Sequence, residues 1–333
     1  QVEALEQKQL PKSAIKELQK IYEHAKQEKN MPQMMKAHLT KASLSINVTP
    51  DSLDRELSGL KTWVAEEKDP VYKAILNHLL GYYTLDTGKR DEAAIDAAIA
   101  YFRLSLQDKD LLSRKSAADY RPMTVSKELS GKYCGDNMYQ LLARQAISRL
   151  SGYFIVNPVL AGKIQTEILS IYDGLIDFYQ QQGMTDARLL LMLDKLNYQG
   201  NDISRGGVNE NLRLTDEQVI TLLKQWAEEF SASPLCGEVY CQLAERYDRM
   251  QDYTAKLHAA QTGLEKYPQS PSVNDLKEQV AEVLTPRLVV EIPFAYPARE
   301  VDLKVKYRNL TGLTVELYRM NLPVTSNILK EEI

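Results

Sequence analysis

The chain has 333 residues, 44% of them hydrophobic, so it can bury a large core and is expected to form more than one domain. Its 41 basic and 45 acidic side chains are interspersed and leave a net charge of −4, which gives no electrostatic footprint for nucleic acid or an anionic membrane. The 3 cysteines, Cys134, Cys236 and Cys241, are odd in number and sparse, so no disulfide framework is implied. Cys236 and Cys241 fall on well-separated directions of a helix and do not favour pairing with each other. No run approaches the ~18 apolar residues of a membrane-spanning helix. The chain begins at Gln1 rather than Met, as expected of a removed leader or of a trimmed sequence, and export is permitted by it without being shown.

From the N-terminus to the region before Pro286, apolar positions recur at helical spacing. The spacing predicts a helix over 12–30, with Ala14, Leu18, Ile21, Tyr22 and Ala25 on one stripe, and a second over 32–46. Thr49-Pro50-Asp51 supplies a capping hydroxyl, a first-turn proline and an acid for the next helix, which runs to about residue 68. Pro70 restarts the chain into a helix over 72–85, followed by a turn at Gly88 and an Ala-rich amphipathic helix over 91–106. Further on, 164–182 and 185–196 form a pair around Gly183. Thr215-Asp216-Glu217-Gln218 is a capping box, and the helix behind it is expected to bury Val219, Ile220, Leu222, Leu223, Trp226, Ala227 and Phe230.

Two stretches, 107–137 and 197–213, interrupt this rhythm, the second with Arg205-Gly206-Gly207. Both are too long and polar for a turn between helices, and each is read as a surface excursion or a partner-binding loop.

The clearest repeat lies in 240–268. Tyr240, Leu243, Ala244, Tyr247, Tyr253, Gly263, Leu264 and Pro268 fall at the spacing of a tetratricopeptide unit, in which small residues let two helices cross closely and aromatics fill the gaps. Lys256 stands where that repeat takes alanine. Leu80-Gly81, Gly88 and the helix over 91–106 form a weaker echo. The aromatics are read as core of such an array, with an aromatic ligand platform as the alternative.

After Pro286 the period changes. Val301 through Tyr307 alternates apolar and charged residues, and Leu313 through Tyr318 does so again after a turn at 309–312. This places Val301, Leu303, Val305 and Tyr307 on one face, as in a strand buried on one side. So few strands do not hide their own edges. Residues 287–333 are therefore expected to be sticky or frayed unless they pack on the helices or pair between chains, and to open a β domain that continues past Ile333.

Chemical motifs are absent. Cys236-Gly237-Glu238-Val239 resembles the reactive thioester sequence Cys-x-Glu-Gln, but Val239 has no carboxamide for the thiol to acylate on, so the cysteine is read as buried structure. None of His24, His38, His78 and His258 stands in a metal-ligand pattern, and neither a phosphate-binding loop, a dinucleotide fingerprint nor a nucleophile elbow occurs. Glu66-Glu67 and Glu228-Glu229 read as solvated helix faces. The triplets Asn47-Val48-Thr49 and Asn309-Leu310-Thr311 acquire meaning only in a eukaryotic secretory pathway. No catalytic, cofactor-binding or metal-binding residue is assigned, and no cofactor is expected.

Three segments together resemble the N-terminal region of the large alpha-2-macroglobulin-like proteins of Bacteroides-type bacteria. These are Leu10-Pro11-Lys12-Ser13-Ala14 through Lys20-Ile21-Tyr22 and Ala25; Tyr120-Arg121-Pro122 leading to Asp136-Asn137-Met138 and Leu141-Leu142; and Pro286-Arg287-Leu288, Lys304-Val305-Lys306-Tyr307-Arg308-Asn309-Leu310 and Val315-Glu316-Leu317-Tyr318-Arg319. The resemblance implies a tetratricopeptide-like helical domain over 1–284, then over 285–333 the truncated start of a macroglobulin-type β-sandwich. It further implies an exported protein, periplasmic or anchored at the outer membrane, of a protease-trap family. The partners implied are the remaining macroglobulin domains of the same polypeptide, with proteases or envelope proteins beyond them. The trapping parts of that family, a bait region and in many members a thioester, are not visible, so the expected role is a non-enzymatic scaffold. The alternative expectation is a stand-alone helical-repeat module of the envelope that binds glycan or peptide.

Overall fold

A computed structural model describes residues 1–48, 52–86, 91–120, 137–153, 155–201, 212–291 and 303–316. Among them, fourteen α-helices precede two β-strands, so the fold is mostly helical with a small C-terminal sheet.

The first helices follow the sequence pattern closely. A short α1 (Val2–Gln7) leads to α2 (Pro11–Gln27), which carries Pro11 at its first turn and buries Ala14, Leu18 and Ala25. Then come α3 (Met31–Val48), α4 (Ser52–Glu66) and α5 (Pro70–Asp86). α6 (Glu92–Leu106) is capped by Asp91, whose side chain accepts from the Ala94 amide at 2.8 Å and so satisfies one orphan donor of the first turn. The capping triplet at 49–51, the turn at Gly88 and Cys134 lie outside the described residues.

The stretch 107–137 is more ordered at its ends than its composition implies. It contains α7 (Lys109–Ser113) and a 3₁₀ turn, Ala117–Tyr120, and an isolated bridge joins Ser116 to Asn137; 121–136 lie outside the described residues. Asn137 then caps a helix that periodicity alone leaves unassigned, α8 (Met138–Ser151), by accepting from the Gln140 amide at 3.0 Å. The following helix, α9 (Pro158–Gln181), begins well before the predicted residue 164, because Asn157 and Pro158 form a cap and first-turn pair. Gly183, at φ 67°, turns the chain in the left-handed region between α9 and α10 (Thr185–Asn201). α10 extends past the predicted end at 196 into the second excursion, whose Arg205-Gly206-Gly207 lies outside the described residues.

The capping box forms as expected at the head of α11 (Asp216–Glu229): Thr215 accepts from the Gln218 amide while the Gln218 side chain accepts from the Thr215 amide. Val219, Ile220, Leu223, Ala227 and Phe230 are buried behind it, whereas Leu222 and Trp226 are only half-buried. α12 (Cys236–Arg249), α13 (Tyr253–Lys266) and α14 (Val273–Leu284) complete the helical part.

Most contacts run between helices adjacent in sequence, with cross-contacts of α5 and α6 onto α8 and of α6 onto α9. The apolar interior divides into two clusters. One runs from Met35 on α3 to Leu191 on α10, the other from Leu189 on α10 to Leu276 on α14, and Ile176 of α9 packs against both.

The strands correct the sequence reading in two respects. β1 (Arg287–Glu291) pairs antiparallel with β2 (Lys304–Arg308), so among the described residues the alternating segment finds its partner upstream, in a continuous apolar run, and not in 313–316. Residues 313–316 are not strand, and Asn309 at φ 56° with the turn after it directs them away from β2. Of the face expected to be buried, Leu303 and Tyr307 are exposed and Val305 is half-buried, while Val301 lies outside the described residues.

Candidate interaction surface

The last three helices hold the most constrained packing in the molecule, and they place the strands. Gly263 of α13 meets α12 so closely that an added Cβ would sit 2.8 Å from the Tyr240 Cβ, closer than two such carbons come. Gly237, at the head of α12, leaves no room either, since a Cβ there would lie 2.4 Å from Ser270. The crossing also buries Ala244 and Ala260 completely. Gly81 has the same role between α5 and α6, where a Cβ would stand 3.0 Å from the Phe102 ring.

Lys256 occupies the position where alanine is expected, and the structure shows what replaces alanine there. Its stem is buried, and its Nζ donates to Asp248 Oδ1 at the end of α12 and to Glu282 Oε2 on α14, each at 2.7 Å. Burial works against the ammonium, but the two carboxylates outweigh it and hold its pKa above the ordinary lysine value. Arg246, equally enclosed, donates to Asp216 at 3.0 Å and backs onto Gly200, tying α12 to α11 and the end of α10.

The strands are fastened to this group by polar contacts. The Arg308 guanidinium donates to the Glu282 carbonyl, and the Asn309 side chain donates to the Val283 carbonyl. Both carbonyls belong to the last turn of α14, where backbone acceptors have no partner within the helix and positive charge is favoured. Arg308 also stacks 5.0 Å over the Tyr253 ring of α13. Glu282 thus serves twice, its carboxylate on Lys256 and its carbonyl on Arg308.

Because Arg308 faces the helices, strand alternation turns Tyr307 the other way. The register pairs Leu288 with Tyr307 and Val290 with Val305 on that outer face, while Arg287, Val289 and Glu291 oppose Arg308, Lys306 and Lys304 on the other. Leu288 is 46%, Val290 48% and Tyr307 66% exposed and Val305 is half-buried, so the apolar face of the ribbon is largely open among the described residues. Lys306 reaches Glu291 diagonally at 3.3 Å.

The other residues weighed in the sequence are dispersed. Cys236 opens α12, buried, with its thiol directed to the Ala227 carbonyl and its pKa raised by burial. Glu238 accepts from Ser270 at 3.4 Å, and its carboxyl is raised by burial against the hydrogen bonds of Ser270 and Ser272. His24 and His258 are exposed on separate helices. His38 lies 3.7 Å from Glu56 and meets Trp63 edge-on at 5.6 Å, and burial lowers its pKa. His78 is buried against Phe102, its Nδ1 without a hydrogen-bond partner, and burial lowers its pKa to about 4. Of the two acid pairs, Glu67 accepts from the Lys68 and Asp69 amides at 2.9 Å and Glu229 binds Arg188 at 2.8 Å, so neither pair is simply solvated. Among the described residues no group of three or more His, Cys, Asp or Glu is set to hold a metal ion, and no helix is long and apolar enough to cross a membrane.

The junction of α13 and α14 with β2 was not foreseen as a unit. Its only sequence signal is an arginine-asparagine pair directly after an alternating strand, and which carbonyls it meets depends on the packing of α14. Comparison with protein-family models finds no match, and no curated protein matches the chain.

Proposed function

We propose that this chain is a non-catalytic helical-repeat scaffold at the head of a bacterial alpha-2-macroglobulin-like protein, and that β1 and β2 begin a macroglobulin-type sandwich. The reading treats α12 and α13 as a tetratricopeptide-like unit, supported by the Gly263–Tyr240 crossing at the repeat's expected small position. The observation that carries it is the latch at the end of α14, which fixes a ribbon with a largely open apolar face onto the last helix. In this role the helices position the trap or dock an envelope partner, in the periplasm or at the outer membrane, and the strands join the macroglobulin domains of the same polypeptide.

The test is a protease assay on the purified chain. The scaffold reading expects no stoichiometric inhibition of any protease class, and stoichiometric inhibition would overturn it. Reading the native coding sequence past Ile333 tests the family: further domains of alternating strands are expected, and a stop within a few dozen codons removes the assignment.

A second reading is a stand-alone tetratricopeptide-like envelope protein that binds glycan or peptide. It is favoured by the exposed rings of Tyr82, Tyr253 and Tyr307. Polysaccharide retention in affinity electrophoresis, lost on changing these tyrosines to alanine, would select it.

A further inference from the structure

Among the described residues β2 pairs only with β1, so its outer edge has no strand partner there, and the charge along it is one-sided. Along β2 the residues between the apolar ones are Lys304, Lys306 and Arg308, and the only acid in either strand is Glu291. Arg308 is engaged by α14 and Tyr253, and Lys306 pairs with Glu291 at 3.3 Å, yet both Lys304 and Lys306 remain exposed along the strand. On the opposite face of the same edge stand Leu303, Val305 and Tyr307. An added strand would gain main-chain hydrogen bonds from the edge, apolar contact with these three side chains, and cross-strand charge pairs wherever it carries acids.

Two occupants are disfavoured by the same geometry. A second copy pairing antiparallel through β2 about its centre would set Lys306 opposite Lys306 and Lys304 opposite Arg308, and like charges directly opposite are destabilising. The chain's own next alternating residues, 313–316, are described and do not pair with β2. We propose that the outer edge of β2 is a docking site for an extended segment of a separate polypeptide that alternates apolar and acidic residues. The proposal goes beyond the scaffold reading and requires, in either of the roles above, that β2 remain an edge strand.

The probe is a short fluorescein-labelled peptide alternating valine and glutamate, matched in length to β2, with a valine–lysine peptide and an N-methylated valine–glutamate peptide as comparisons. Binding to the full chain is read by fluorescence anisotropy. The valine–glutamate peptide is expected to bind at least about tenfold more tightly than the valine–lysine one, and added salt is expected to narrow the gap. Lys304→Glu alone, and Lys304→Glu with Lys306→Glu, are expected to reverse the preference while far-UV circular dichroism keeps its helical signal. Equal binding of the two charge forms, no binding of either, or unchanged binding of the N-methylated peptide would overturn the proposal. So would sedimentation velocity showing that the chain alone associates with itself through this edge, blocked by the double variant.

Discussion

The two apolar clusters enclose opposite kinds of polar group. In the first, the buried polar side chains are acids, amides, serines and His78: Glu56, Asn77, Gln140, Gln165 and Glu167 among them. In the second they are Arg246 and Lys256 together with three serines. The cations of the second cluster keep their heads at the rim, against carboxylates that remain substantially exposed: Asp216, Asp248 and Glu282. Their stems take the place of apolar packing, as long basic side chains do at a boundary. The first cluster holds most of its polar groups deeper: Tyr179 donates to Gln140 at 3.0 Å, buried Glu167 accepts from the exposed Arg103, and His78 packs edge-on against Phe102 with its Nδ1 unpartnered. A neutral histidine in that setting is tolerated, and a charged one is not.

The comparison predicts that deep truncation hurts most in the first cluster. Phe102 is fully buried between Gly81 and His78, so Phe102→Ala is expected to cost about 3–5 kcal/mol in denaturant unfolding. A loss under about 1 kcal/mol would show that α5 and α6 collapse freely onto the gap. Acid is the next lever. The folded pKa of His78, about 4, lies below its ordinary 6.5, so the fold favours the neutral ring. The stability this supplies is complete above pH 6.5 and is lost as pH falls toward 4, by about 3 kcal/mol in all. His78→Leu should flatten most of that slope in unfolding midpoints measured between neutral pH and pH 4, and the residual slope of the same sign belongs in part to His38. An unchanged slope would place acid sensitivity elsewhere.

In the second cluster the largest expected effect is steric. Gly263→Ala, which needs a methyl 2.8 Å from the Tyr240 Cβ, should cost about 1–3 kcal/mol because two helix backbones must part. Lys256→Met sharpens the contrast at the smallest scale. It keeps the stem and removes the charge, leaving carboxylates that water still reaches, so the change in unfolding free energy should stay within about 1 kcal/mol. A loss above about 3 kcal/mol would mean that the ion pairs, not the stem, hold α12 to α14.

Much of the helical part was legible because its signals are local. The box at Thr215 and Gln218 and the turn at Gly183 each act within a few residues and formed as expected, whereas Asp91, read as the first residue of its helix, is its cap. Helices α8 and the start of α9 carry the same kind of signal in Asn137 and in Asn157-Pro158, caps that the apolar period does not show. β1 escaped because Leu288, Val289 and Val290 run without alternation, the pattern of a strand or of a helix end alike. The surface at the ribbon was not readable at all. Alternation says which residues share a face and nothing about which face turns inward. That choice falls to Arg308 and Asn309, whose partners are carbonyl groups, invisible in a list of side chains.

The same two residues have a mechanical consequence. With Arg308 and Asn309 bonded to the carbonyls of α14, tension applied to the strands enters the helix along its own axis at the last turn. It passes through Glu282 to Lys256 and from there to the end of α12 at Asp248. A pull on β2 therefore reaches α14 by two routes, the latch and the chain itself through Thr285 and Pro286 at the start of β1, and the load is shared among three helices.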